Sequence, residues 1–70
     1  MSQNEMILKY LLTHKRGITP MKAFEKFGIL RLSGRIYELK EAGYDIVTDM
    51  IDVKNRNGDI RRVAEYRLRG

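Results

Sequence analysis

Sixteen residues from Ile29 to Tyr44, ILRLSGRIYELKEAGY, constrain this chain more than any other stretch. Leu32, Ile36, Leu39 and Gly43 recur at the three-to-four spacing that lines one face of a helix. Such a stripe has to pack on something, so the spacing predicts a short helix docked on a core. Arg31, Ser33, Gly34, Arg35 and Glu38 fall outside the stripe, at or near the helix start. They are small or long polar residues, the types that reach base edges and phosphates. Gly43 is expected to stop the helix, after which the chain becomes strand-like.

The segments before it read as two more helices. Ser2 followed by Glu5 has the spacing of a capping box. Met6, Ile7, Tyr10 and Leu11 give the next apolar face, with Leu8 and Leu12 widening it. This helix should fade near Thr13, where His14, Lys15 and Arg16 suit the negative end of its dipole. In Ile18-Thr19-Pro20, Thr19 is a good N-cap and Pro20 a good first helical residue, having no amide to leave unsatisfied. Ile18 is expected in a very short strand just before the cap. The second helix is expected over residues 20–27 with Ala23, Phe24 and Phe27 inward, and Gly28 closes it. The third helix has no clear capping residue.

Residues 44–53 and 60–68 are rich in β-branched and aromatic types, so they read as two strands. Between them Asn57-Gly58 is a strong hairpin signal. A tight turn there would set Ile51 opposite Ala64 and Val47 opposite Leu68. A longer loop would instead put Ile46 and Met50 on the face of Ala64, Tyr66 and Leu68, and the sequence leaves both registers open. The two arms differ in charge. Asp45, Asp49 and Asp52 lie in the first, whereas Lys54, Arg56, Arg61, Arg62, Arg67 and Arg69 outnumber Asp59 and Glu65 from the tip onward. One arm can neutralise part of the other.

Charge and composition narrow the function classes. The formal net charge is +5, a balance that favours polyanions: nucleic acid, or less often a membrane surface. Without cysteine there are no thiolate zinc sites and no thiol catalysis, which suits a reducing cytoplasm. No apolar run is long enough to span a bilayer, and the start MSQNEM lacks the pattern of a secretion signal. A cytoplasmic location with no membrane partner is the expectation. His14 is the one histidine, and no glycine-rich loop precedes a helix in the phosphate-binding pattern. No catalytic residue, metal site or cofactor is therefore expected.

Two sets of residues are candidates for binding. In the third helix, Arg35 has the fork that bonds guanine O6 and N7, and Arg31 can do the same or hold a phosphate. Ser33 and Gly34 are small enough to let the helix approach a duplex closely. Glu38 can accept from a cytosine amine or pair along the helix with Arg35 or Arg31. In the hairpin, Lys54, Arg56, Arg61 and Arg62 flank the tip, where they suit a backbone or a narrow minor groove. Lys22, near the start of the second helix, is a further phosphate candidate. The plainer alternative for all of them is a solvated surface and protection of an exposed strand. Tyr37 lies off the core stripe, free to touch a sugar or base methyl or to pack on the hairpin.

The run ITPMKAFEKFGILRLSGRIYELKEAGYDI, with a basic hairpin ending VAEYRL, resembles the small winged helix-turn-helix domains of bacteriophages and prophages. The matching positions are Ile18, Thr19, Pro20, Ala23, Phe27, Gly28, Arg31, Leu32, Ser33, Arg35, Ile36, Leu39, Gly43, Tyr44, Tyr66 and Leu68. The family often carries an aromatic in the first wing strand, where this chain has Met50. The resemblance implies one α+β domain over residues 1–70, three helices packed on a C-terminal hairpin, that binds double-stranded DNA with its third helix and wing. It implies a regulator, an excision factor or a replication factor without choosing among them. A protein-interaction module of the same fold, meeting an acidic partner surface, is the alternative reading. The oligomeric state is left open.

Overall fold

The computed structural model describes residues 2–69. Met1 and Gly70, the ends of the expected 1–70 domain, lie outside the described residues. The elements run α1 (Gln3–Thr13), α2 (Pro20–Phe27), α3 (Leu32–Glu41), β1 (Ile46–Lys54) and β2 (Ile60–Leu68). Their order is the expected one, and the strands form an antiparallel hairpin. The short first strand is a single bridge, Ile18 to Tyr66.

Local chemistry sets the boundaries. The Ser2 side chain accepts from the Glu5 amide at 3.1 Å, and the Thr19 hydroxyl accepts from the Lys22 amide at 3.2 Å. Each satisfies one of the orphan donors of a helix start, which contributes about 1 kcal/mol. By contrast α3 begins at Arg31 with no side-chain cap, so packing rather than capping holds its first turn. It stops where the Gly43 amide donates to the Lys40 carbonyl and the Tyr44 amide to that of Leu39.

Every element feeds one core. Ile7, Tyr10 and Leu11 come from α1, Ala23 from α2, Leu32, Ile36 and Leu39 from α3, and Ile46 from β1. Ile18 and Ile29, in the connections, are fully enclosed. Leu8, Phe27, Tyr66 and Leu68 pack around this set. Burying an aliphatic side chain of this size stabilises the fold by about 1.5–3 kcal/mol. Leu32, Ile36 and Leu39 of the α3 stripe therefore dock as their spacing predicts, whereas Gly43 lies past the helix end and is exposed.

Two apolar expectations are corrected. Phe24 is 52% exposed rather than inward. In a helix this short Ala23 and Phe27 take the core-facing side, and the inward position beyond the helix end is filled by Ile29. Leu12 stands in solvent, since Ile7, Tyr10 and Leu11 already span the face that α1 turns to the core.

The hairpin takes the longer-loop register. Ile46 pairs with Leu68, Thr48 with Tyr66, Met50 with Ala64 and Ile51 with Val63. Asn57-Gly58 does not make the two-residue turn because only Gly58 has positive φ, at 86°, and Asn57 does not. Asn55 organises a wider loop instead. Its side-chain oxygen accepts from the Asn57 and Asp59 amides, both at 2.9 Å, and its carbonyl accepts from the Gly58 amide. This register buries Ile46 at the base of the hairpin and leaves Met50 and Ile60 exposed toward the tip. The hairpin thus projects as a wing from a body measuring 38 × 24 × 20 Å overall.

Gly17 ties that wing to the helices. Ile18 exchanges both backbone hydrogen bonds with Tyr66, at 2.7 and 2.9 Å. One residue earlier Gly17 sits at φ +93°, so close to β2 that a Cβ would lie 2.1 Å from the Tyr66 carbonyl oxygen. No other residue fits there without moving the strand.

Candidate nucleic-acid interface

Relative to its buried stripe, α3 turns Ser33, Gly34, Tyr37 and Glu41 to the far side, and all are exposed. A Cβ on Gly34 would meet nothing within 4 Å, so the middle of this face is flat and open. Tyr37 is 65% exposed. It packs neither in the core nor in an aromatic pair among the described residues.

Arg31, Arg35 and Glu38 lie together on one flank of the helix. The Arg35 Nε sits 3.1 Å from Glu38 Oε1, with the two side chains 36% and 49% exposed. Glu38 also accepts from Asn4 Nδ2 of α1 at 3.4 Å. Arg35 is thus half-buried and held along the helix, whereas Arg31 at the helix start is exposed and makes no ion pair among the described residues. The pairing with Glu38 is visible in the sequence as a spacing of three. The link to Asn4, thirty-four positions away, has no sequence signal.

The wing sorts its charges by position. Arg62 pairs with Asp52 at 3.4 Å, Arg67 with Asp49 at 2.6 Å and Arg69 with Asp45 at 3.6 Å. The acidic first arm thus neutralises the second arm from its base up to Arg62. What remains is the tip: Lys54, Arg56 and Arg61 are exposed and make no ion pair among the described residues. Arg61 lies opposite Val53, on the other face of the ladder from the Asp52–Arg62 pair.

The start of α2 meets this tip. A groove of about 520 Å³ is lined by Thr19, Pro20 and Met21 on one side and by Val53, Lys54, Asn55, Arg61 and Val63 on the other. Lys22 follows directly and lines a smaller cleft of about 200 Å³ with Arg16, His14 and Glu65. Thr19 lines both clefts, so Lys22 stands in the cleft next to the one that holds Lys54 and Arg61. This juxtaposition was not legible from the residues, because it depends on the Ile18 bridge that docks the α2 start beside β2. No helix among the described residues is long and apolar enough to cross a membrane.

Three helices with the third turned partly outward, a one-residue strand and a projecting hairpin define the winged helix-turn-helix class. The chain belongs to that family: the family model for a winged helix-turn-helix domain matches residues 2–69. No curated relative and no solved structure matches it. Membership points to DNA binding as the class of function, with binding rather than catalysis as the habit of such domains.

Proposed function

We propose that residues 1–70 act as one duplex-DNA-binding domain of phage or prophage type, serving as a regulator in the cytoplasm of a bacterial host. In this reading α3 enters a major groove and the wing lies on the adjacent backbone or minor groove. The observation that carries it is the distribution of uncompensated charge. Among the described residues Lys54 and Arg61 are left without ion pairs where the α2 start meets the wing, as are Arg56 on the tip and Lys22 in the neighbouring cleft, while ion pairs hold Arg62, Arg67 and Arg69. Ser33 and Gly34 stand on the open side of α3, and Arg31 and Arg35 with Glu38 on its flank supply donors and an acceptor. The phage assignment rests on the ITP, RLSGRI and AGY motifs.

The test is fluorescence anisotropy of labelled duplexes against folded protein over a range of salt. Tight binding that weakens as salt rises, with a preference emerging from a mixed pool, supports the reading. Folded protein with no affinity for any duplex at low salt would dispose of it.

A further inference from the structure

The groove between the start of α2 and the wing has features that a duplex does not use. Its floor is apolar, made by Pro20, Met21, Val53 and Val63. Met21 is 66% exposed there. Its two polar lining side chains are already engaged: the Thr19 hydroxyl caps α2, and the Asn55 oxygen holds the wing turn. The cations Lys54 and Arg61 stand at its edge without ion pairs among the described residues.

An open strand edge lies beside it. Tyr66 turns both its amide and its carbonyl toward Ile18. Because a strand alternates the direction of these groups, Ala64 and Arg62 aim theirs to the same side. There the chain has already left the ladder, entering α2 at Thr19, and Pro20 has no amide with which to continue it. The Ile18 bridge is thus the stub of a third strand, and Ala64 and Arg62 have no backbone partner on that side among the described residues.

We propose that this edge and groove bind an extended acidic peptide segment of a partner protein. The segment continues the Ile18 stub along Ala64 and Arg62 by strand addition, sets a bulky apolar side chain on Met21, Val53 and Val63, and meets Lys54 and Arg61 with its carboxylates. A duplex has phosphates for the cations but neither backbone amides for the edge nor an apolar side chain for the floor. The site does not depend on α3 reading DNA, although an occupant would compete with DNA for the wing cations.

The probe is a capped octapeptide of glutamates with one central valine, so that carboxylates fall on both strand faces, titrated into the isotopically labelled chain and followed by amide NMR. Shifts centred on Met21, Val53 and Val63, with slowed amide exchange at Arg62 and Ala64, are the expected result. M21E changes only an exposed helix residue and should weaken binding by about tenfold or more. R61E should do so as well, and the same octapeptide with lysines in place of its glutamates should not bind. The proposal is overturned by shifts that map elsewhere or by unchanged exchange at Arg62 and Ala64. Undiminished binding by M21E, or a duplex that alone reproduces the pattern, also overturns it.

Discussion

Single side chains separate the two jobs this small chain has to do. Gly17 belongs to the fold: its positive φ and its approach to the Tyr66 carbonyl exclude a Cβ. Gly17→Ala should lower stability by about 3 kcal/mol or more, read as an earlier urea midpoint with an unchanged slope. A midpoint equal to wild type would show that the strap yields freely. In the proposed reading the α3 arginines belong to binding, and they differ from each other. If Arg35 makes a two-armed guanine contact, Arg35→Ala should narrow the gap between preferred and mismatched duplexes by about 1–3 kcal/mol. Glu38 holds its Nε at 3.1 Å, a bond that leaves both Nη nitrogens free but sets a carboxylate beside the contact. Glu38→Gln removes that hold and a negative charge, so it should tighten every duplex alike. Competition binding with matched and mismatched sites distinguishes the two effects, and a Glu38→Gln variant that binds more weakly would make the glutamate a base contact instead.

At the level of elements, legibility follows the range of the interaction that decides each feature. The helices were readable because local signals set them: Ser2 and Thr19 as caps, Pro20 as a first residue, the Leu32–Ile36–Leu39 stripe as a face. Phe24 misled because apolarity alone does not say which neighbour takes the inward place, and Ile29 from the following turn took it. The wing register was undecidable for a similar reason. Asn57-Gly58 argued for a tight turn, but the two hydrogen bonds to the Asn55 side chain favour a wider loop. Of the candidate site, the charged residues were legible and their partners were not, since Arg62, Arg67 and Arg69 find their aspartates only across the ladder. Asn55→Ala tests the loop directly. Losing a side-chain acceptor for two amides should cost about 1–2 kcal/mol, with faster exchange confined to the Asn57 and Asp59 amides and the nearby rungs. Exchange unchanged at both amides would mean the loop holds itself without that oxygen.

Across the whole molecule the net charge of +5 says less than where the unpaired part of it sits. Each phosphate neutralised by a lysine or arginine releases counterions and adds roughly 0.9 to the slope of log affinity against log salt. Lys54, Arg56 and Arg61 have no acidic partner among the described residues, so their positive charge is fully available to a polyanion. Arg67 and Arg69 already sit against carboxylates, which offset their charge toward a phosphate. Replacing Lys54, Arg56 and Arg61 together with alanine should therefore flatten the slope by roughly 2–3, weakening all sequences alike. Replacing Arg67 and Arg69 should change it by less than about 1, although the same kind of charge is removed. Because an exposed ion pair adds at most about 1 kcal/mol, both variants remain folded enough to compare, and circular dichroism checks that they do. Equal flattening by the two variants would mean that the protein responds to total charge, and that the wing tip has no privileged place on the duplex.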